Sequence, residues 1–221
     1  MRTLTIEEAR SYYNHFGIKQ DSQSFYEASA LQALVENSHF DQATSVFEFG
    51  CGTGHFALEL LTKHLPPTAQ YSGIDISTTM IQISSSRLAP FSQRATVVLA
   101  PEGAILPAKD NSVDRFVASY VLDLLSIESA AKVLDEAYRT LSPKGLLCLA
   151  SLTKGISPIS RFTMRVWQGL FSMNPAWVGG CRPTELTDFL QADMWNVHYK
   201  KVLVAWGIPS EVVVASPIKT G

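Results

Sequence analysis

The sequence predicts one α/β domain with a doubly wound, mostly parallel seven-stranded sheet, helices on both faces and an antiparallel C-terminal hairpin. From Ser45 onward, short apolar runs alternate with segments of helical period. Strands that are apolar on both faces and separated by helices of about 10–15 residues pair in parallel through right-handed crossovers. Two β-rich runs near the C-terminus lie close enough in sequence to form a hairpin.

Each element follows from a local pattern. Helices are predicted at residues 5–14, 24–37, 54–65, 77–88 and 127–141, the last because its apolar residues recur at i, i+3 and i+4. The strand-like runs are SVFEFG, QYSGIDIS, ATVVLA, SVDRFVASY and GLLCLASL, followed by VHYKKVLVAW, a GIPS turn and EVVVAS.

The chain divides into four segments within one domain, the domain count expected for 221 residues. Residues 1–43 are predicted to form a helical N-terminal lid, and residues 44–152 the core. Residues 153–182, rich in Trp, Phe, Met and Gly, read as an insertion that covers a substrate. Residues 183–221 are predicted to form a helix and the hairpin.

Composition limits the class of partner and the compartment. The chain has 18 basic and 20 acidic side chains and a formal charge of −2, so it has no overall attraction to nucleic acid. Three separated cysteines without a CxxC pair predict neither a disulfide framework nor a metal site, and they fit a reducing cytoplasm. No apolar run approaches the ~18 residues of a membrane span. We expect a soluble cytoplasmic protein.

The stretch VFEFGCGTGHF places Gly50, Gly52 and Gly54 between an apolar strand and a helix, where open α/β sheets bind ligands. Glycines at this density indicate that something approaches the main chain. A phosphate-binding P-loop is excluded, because no GK[ST] follows. A dinucleotide fingerprint is weakened, because the third glycine comes one position early and His55 stands in its place.

Acidic residues stand at or just past the ends of three successive predicted strands: Glu48, Asp75 and Glu102. In a parallel sheet these carboxylates share one rim, which would repel a pyrophosphate. The rim suits a ligand that has an ammonium, a ribose diol and an adenine amine but no phosphate. S-adenosylmethionine carries those groups together with a sulfonium.

The stretch EFGCGTG resembles the first motif of the class I S-adenosylmethionine-dependent methyltransferases. GIDIS resembles their ribose-binding strand end, PEGAILPAKDNSVDRF their GDAExLPFxDxSFD region, and EAYRTLSPKGLLCLAS their ExxRVLKPGGxLxxxx segment. The resemblance spans about residues 44–152 and is greatest to the small-molecule enzymes of the ubiquinone/menaquinone-biosynthesis-like group. It implies a Rossmann-like fold and S-adenosylmethionine as methyl donor, with S-adenosylhomocysteine as product.

The resemblance also implies roles for individual residues. Asp75 would accept both ribose hydroxyls, Glu102 would hold the adenine amine in place of the usual Asp, and Tyr120 would lie near the sulfonium. The full set of implied cofactor contacts is Glu48, Gly50, Cys51, Gly52, Gly54, Asp75, Ile76, Glu102, Gly103, Ile105 and Tyr120. Structural alternatives exist: the glycines could serve tight packing, and Asp75 and Asp114 could be helix caps or turn residues, the role we prefer for Asp114.

The aromatic residues of the two lid segments favour a small apolar or aromatic methyl acceptor. His15, Tyr120 and Asp123 are the candidate catalytic residues, with His15 and Asp123 as candidate bases. An amine or thiol acceptor would need no base. Two other functions remain open: a non-catalytic protein that binds S-adenosylmethionine or S-adenosylhomocysteine, and a nicotinamide-dependent oxidoreductase.

Overall fold

A computed structural model describes residues 3–101 and 105–219 and contains a seven-stranded sheet in the order β3-β2-β1-β4-β5-β7-β6. β1 to β5 are parallel, and β7 runs antiparallel to β5 and β6. The predicted fold class is therefore confirmed. The strands are β1 Ser45–Phe49, β2 Gln70–Asp75, β3 Ala95–Leu99, β4 Val113–Ser119, β5 Leu141–Leu152, β6 Trp195–Ala205 and β7 Ile208–Pro217.

Helices cover both faces of the sheet, and side-chain caps fix where several of them begin. Thr5 and Glu8 form a capping box at the start of the first helix, while Ser126 and Ser157 accept backbone N–H groups at the starts of the last two. The helices are α1 Ile6–Phe16, α2 Ser24–Asn37, α3 His55–Glu59, α4 Thr78–Leu88, α5 Ile127–Thr140 and α6 Pro158–Met173. A π-helical turn, Leu60–His64, continues α3.

The core lies on both sides of the sheet, which is why the strands are apolar on both faces. On one side Leu34 of α2 and Leu60 pack against Tyr71 of β2. On the other side Leu134 of α5 packs with Phe116 of β4. The buried stripe of α5 is formed by Ala130, Leu134 and Ala137, whereas Ile127, which the periodicity placed on that stripe, is exposed.

The C-terminal hairpin is confirmed, but its turn lies earlier than predicted. Ala205 pairs with Ile208, so the turn consists of Trp206 and Gly207, at φ 55° and 80°. Two-residue hairpin turns with both central residues at positive φ match the twist of the strands. The predicted GIPS turn is wrong because Ile208, Pro209 and Ser210 already belong to β7.

Where a helix was predicted after residue 183, the structure has a four-residue 3₁₀ turn, Leu186–Phe189. The Leu186 N–H donates to the buried Glu211 carboxylate of β7 at 2.6 Å, which ties this turn to the sheet. The 153–182 segment contains α6 and a 3₁₀ turn, Pro175–Val178. No helix within residues 3–101 and 105–219 is long and apolar enough to cross a membrane.

Asp114 joins β4 to the start of β1; it is a residue of β4 itself, so the helix-cap or turn role that we preferred for it is wrong. Its Oδ2 accepts hydrogen bonds from the backbone N–H of Thr44, at 2.9 Å, and from the Thr44 hydroxyl. We expect Asp114→Ala to lower the free energy of unfolding by roughly 1–3 kcal/mol, since both donors lose a charged acceptor.

Urea denaturation of the wild type and of Asp114→Ala measures the two free energies of unfolding. Asp193→Ala is the matched control, since Asp193 is exposed and forms no hydrogen bond within the described residues. Equal stability of the two variants would show that Asp114 has no such role.

Candidate functional site

The loop that follows β1 adopts a backbone that only glycine adopts readily. Gly50, Gly52 and Gly54 have φ values of 75°, 52° and 72°. The backbone N–H groups of Gly50 and Cys51 both donate to the carbonyl of Ile74, at 2.8 and 2.9 Å. The loop is therefore fastened to the end of β2, and its shape is set by the left-handed residues.

The three glycines differ in what a side chain would meet. A Cβ on Gly54 would lie 2.9 Å from Ser84 Cβ, so Gly54 allows α4 to pack against the loop. A Cβ on Gly50 would lie 2.6 Å from Val121, and one on Gly52 would lie 2.7 Å from the amide oxygen of Gln20. Packing explains Gly54, as the structural alternative anticipated, while Gly52 is covered by a polar side chain.

Asp75 holds the glycine loop in its present position. Its carboxylate accepts the Gly52 N–H at 3.0 Å and the Ser77 N–H at 2.8 Å. Burial raises the pKa of Asp75, and these backbone donors oppose that rise. Asp75 does not line the cavity beside the loop. Each carboxylate oxygen keeps capacity for a further donor, because an oxygen accepts two.

A cavity of about 200 Å³ lies beside the glycine loop, between α2 and the end of β4. Gly50, Cys51 and Gly52 form one wall and Tyr120 part of another. Carboxylates dominate its polar lining: Asp21, Glu27, Glu48 and Glu59. The cavity therefore favours a positively charged or hydrogen-bond-donating ligand.

Two of these carboxylates form no ion pair within the described residues: Glu48, which is buried, and Glu27, which is partly buried. Glu48 is 1% exposed, accepts a hydrogen bond from the Tyr71 hydroxyl, and has its pKa raised by burial to about 7. Burial likewise raises the pKa of Glu27 to about 7. Both groups are therefore poised to ionise when a cation enters the cavity.

The 3₁₀ segment Gly17–Gln23 crosses over the glycine loop. Asp21 forms an ion pair with Arg87 of α4 at 2.6 Å and accepts the Thr53 hydroxyl at 2.6 Å. Beside it, the Gln20 amide oxygen is buried above Gly52 and has no hydrogen-bond partner among the described residues. Sequence reasoning missed Gln20, Asp21 and Glu27, although the polar run GIKQDSQ between two helices was a signal.

Helix α1 covers the end of β2. Arg10 Nε donates to the Ile76 carbonyl at 3.3 Å, and the Ser77 hydroxyl donates to Asn14 at 2.7 Å. The Tyr13 hydroxyl donates to the Gly179 carbonyl at 3.1 Å, which joins α1 to the 153–182 segment. The N-terminal lid stays a prediction, and these contacts are the ones that an opening motion would break.

Tyr120 and Asp123 both follow β4, but only Tyr120 lines the cavity; Asp123 lies in the 3₁₀ turn Leu122–Leu124. Tyr120 lines the cavity at φ 52° and donates its hydroxyl hydrogen bond to Ser210 at 2.8 Å. Asp123 is 0% exposed, and neither of its oxygens has a hydrogen-bond partner among the described residues. Burial raises its pKa to about 7, and the charge of nearby Arg182 opposes that rise.

The remaining predicted residues divide into four groups. Cys51 is a buried cavity residue, and burial raises its pKa well above the usual value, so it is not a reactive thiolate. His15 is exposed on α1, bonds to the Ser11 carbonyl at 2.7 Å, and is not brought to the cavity. Ile105 is exposed, and Ile76 lies under Arg10. Glu102 and Gly103 lie outside the described residues.

Comparison with known proteins finds methyltransferases as relatives of this chain. The model of a methyltransferase domain matches residues 46–145, the segment that holds the glycine loop and Asp75. Residues 46–145, a little under half of the chain, are therefore similar to a methyltransferase domain.

Relatives and a solved structure agree with that family. The tRNA N(3)-methylcytidine methyltransferase Mettl2 of Drosophila melanogaster is 33% identical over 127 residues, covering 56% of this chain and 39% of its own length. A demethylmenaquinone methyltransferase of Symbiobacterium thermophilum is 28% identical over 139 residues, covering 62% and 54%. The chain thus spans about half or less of the length of these two relatives. The structure of the (4+2)-cyclase SpnF superposes with a TM-score of 0.74 at 15% identity, covering 98% of both chains, and shows the fold.

Burial of Asp123 gives the methyltransferase domain a pH-dependent stability. The folded pKa, about 7, exceeds the ordinary value of about 3.9 in an unfolded chain, so the folded state holds more protons between those limits. The free energy of unfolding therefore falls as the pH rises from about 4 to 7. We expect Asp123→Asn to make this fall shallower by up to about 1.4 kcal/mol per pH unit.

Urea denaturation at pH 5, 6, 7 and 8 measures the slope, with Asp41→Asn, a change at an exposed carboxylate, as the control. A slope for Asp123→Asn that equals the wild-type slope would contradict the assignment of a neutral, buried Asp123.

Proposed function

We propose that this protein transfers the methyl group of S-adenosylmethionine to a small acceptor by in-line displacement. The observation that carries the proposal is the left-handed glycine loop beside an acidic cavity, with an unpaired Gln20 amide oxygen lying over Gly52. Because no described donor holds that oxygen, the Gln20 side chain can turn away from Gly52 when a ligand approaches. The motif order along residues 44–152 agrees with this use of the loop.

The residues present fit S-adenosylmethionine. Glu48 and Glu27 offer buried carboxylates to cationic groups, and Asp75 keeps acceptor capacity for the ribose hydroxyls. Gly52 leaves the main chain open to a ligand once the Gln20 side chain turns away. When bound, the cofactor supplies an electrophilic methyl group on a sulfonium, whose departure as a neutral thioether needs no acid.

The chain's own contribution is to position the acceptor and to exclude water. Tyr120, which lines the cavity, belongs to an apolar cluster with Tyr26, Cys181 and Trp167 of α6. Fixing an acceptor there at about 3 Å from the methyl carbon supplies on the order of 7–11 kcal/mol through lost bimolecular entropy. Asp123 stays the candidate base where the acceptor must lose a proton, and it would need a path to the cavity, which it does not line.

A small acceptor is favoured over a nucleic acid. The cavity is lined by four carboxylates, and the chain has a formal charge of −2, so a phosphate backbone would be repelled. The Drosophila relative named for tRNA methylation keeps RNA as the alternative outcome of the activity test. A regulatory protein that only binds the cofactor is the other alternative, and absence of turnover with retained binding would identify it.

Activity is tested by incubation with isotopically labelled S-adenosylmethionine and a cell extract divided into metabolite, RNA and protein fractions. We expect label in a small molecule, detected by mass spectrometry, and none with Gly52→Val. Label confined to the RNA fraction would contradict the proposed acceptor class, and S-adenosylhomocysteine binding without any labelled product would contradict the activity.

Gly52→Val provides the test of the cofactor site. Valine at φ 52° is strained, and its side chain meets Gln20 and fills the approach to the main chain, so we expect S-adenosylhomocysteine binding to be lost. Calorimetric titration measures the affinity. Gly207→Val is the matched control, because it places valine at φ 80° in the hairpin turn, far along the chain from the loop.

Thermal unfolding with S-adenosylhomocysteine and with NAD separates the oxidoreductase alternative. A ligand at 100 times its dissociation constant adds about 2.7 kcal/mol to the free energy of unfolding. We expect stabilisation by S-adenosylhomocysteine and none by NAD. Retained binding in Gly52→Val, or stabilisation by NAD alone, would overturn the site.

A further inference from the structure

Helix α6 has two apolar faces, and only one of them is buried. Its inner face places Met164 and Phe171 in the protein interior, and Trp167 Nε1 donates to the Cys181 carbonyl at 2.8 Å. Its outer face carries apolar side chains at i, i+3, i+7, i+11 and i+14, all of them exposed: Ile159, Phe162, Val166, Leu170 and Met173. A helix of a water-soluble protein normally has one apolar stripe, directed at the core.

The hairpin turn extends this outer stripe. Trp206 is 82% exposed, and a Cβ on its neighbour Gly207 would lie 3.5 Å from Ile159 Cγ2, so the turn adjoins the first turns of α6. Ile159 and Phe162 are themselves 73% and 68% exposed. We call the five outward residues of α6 together with Trp206 the α6 surface. Contiguous apolar exposure of this kind marks an interaction site.

The charges beside the α6 surface are positive. Arg165 lies one helical turn from Phe162, and Arg161 lies one turn from Arg165. Neither arginine forms an ion pair with a residue of the described ranges, and the sequence has no Asp or Glu between Glu136 and Glu185. At the start of this segment Lys154 is paired with Glu185, at 2.7 Å.

One acid lies near the other end of the helix. Glu8 of α1 lines a groove together with Met173. The two arginines therefore flank the N-terminal half of the α6 surface, away from this acid.

These charges decide between the occupants of the surface. Two copies of the chain that met through this surface about a two-fold axis would bring arginine against arginine, with no acid in residues 137–184 to compensate. An exposed helix is also a ridge, and a partner protein would need a groove of complementary shape to bind it. A lipid bilayer accepts an apolar ridge without a matching groove, and anionic headgroups complement flanking arginines. Tryptophan is enriched at the membrane interface because its ring is apolar and its N–H is polar, and Trp206 offers both.

We propose that the α6 surface docks the protein on an anionic membrane surface. The apolar stripe and Trp206 enter the boundary between headgroups and acyl chains, while Arg161 and Arg165 bind lipid phosphates. This inference rests on the outer face of α6 and is independent of the proposed methyl transfer. Through Trp167 the inner face contacts the cluster that contains Tyr120, so docking would place the acceptor side of the cavity close to the bilayer.

Vesicle co-sedimentation of the full chain tests the proposal, with vesicles of phosphatidylcholine alone and of phosphatidylcholine with about one-third phosphatidylglycerol. We expect binding to the anionic vesicles that weakens as salt rises. Arg161→Gln with Arg165→Gln should weaken it about 25-fold, since each cation near the surface contributes about fivefold. The double variant Phe162→Ser with Trp206→Ser should abolish binding, and both residues are exposed enough for the fold to tolerate the change.

Matched control variants distinguish binding through the α6 surface from nonspecific binding to vesicles. Ile127→Ser removes an exposed apolar side chain from α5, and Lys144→Gln removes an exposed cation from β5, so both should bind as the wild type does. Free phosphate added in excess should compete weakly, whereas a soluble anion site would be saturated by it. Circular dichroism and S-adenosylhomocysteine affinity confirm that each variant is folded.

The proposal is overturned by any of three results. One is absence of binding to every vesicle; another is unchanged binding of the Phe162→Ser, Trp206→Ser variant. The third is sedimentation-velocity measurement of a dimer, abolished by that same variant, without vesicle binding, which would assign the surface to a second copy of the chain.

Discussion

The structure depends on a left-handed backbone at three alternate positions directly after a buried strand. Gly50, Gly52 and Gly54 turn the chain so that two consecutive N–H groups reach the Ile74 carbonyl, and Gly52 reaches Asp75. The end of β1 is thereby fixed to the end of β2. Any residue with a side chain would meet Val121, Gln20 or Ser84 at these positions, so packing and ligand access are set by the same three residues. The site follows from the geometry of this junction.

Around that junction the domain holds carboxyl groups whose charged forms are disfavoured by burial. Glu27, Glu48 and Asp123 each have a pKa raised by burial to about 7, whereas Arg87 is committed to Asp21. Burial of uncompensated carboxylates costs stability, and such a cost persists where a ligand or a reaction uses it. A cofactor with an ammonium and a sulfonium would compensate the acids beside the cavity. Asp123, which does not line the cavity, stays a candidate base only.

Local pattern predicted the strands, the hairpin and the glycine loop, because each depends on neighbours in sequence. The periodicity of β1, the helix start after Gly54 and the positive φ values are consequences of a few adjacent residues. Contacts between distant segments could not be predicted in this way. Gln20 lies over Gly52 and Asp21 pairs with Arg87 only because the N-terminal segment folds across the loop.

Likewise, the outer stripe of α6 has the same period as a buried one, so the sequence alone could not tell which face of α6 is covered. For the same reason the sequence suggested His15 as a catalytic base, because it stands among aromatic residues along the chain. In the structure its side chain is exposed and bonds to the Ser11 carbonyl.

The most direct test of the central claim is a crystal structure of the protein with S-adenosylhomocysteine. The account predicts that both ribose hydroxyls lie within hydrogen-bonding distance of the Asp75 carboxylate, that the amino-acid end lies beside Glu48, and that the Gln20 side chain has moved away from Gly52. A complex in which the ligand binds elsewhere, or in which Asp75 contacts only Gly52 and Ser77 while the Gln20 amide still covers the loop, would contradict it.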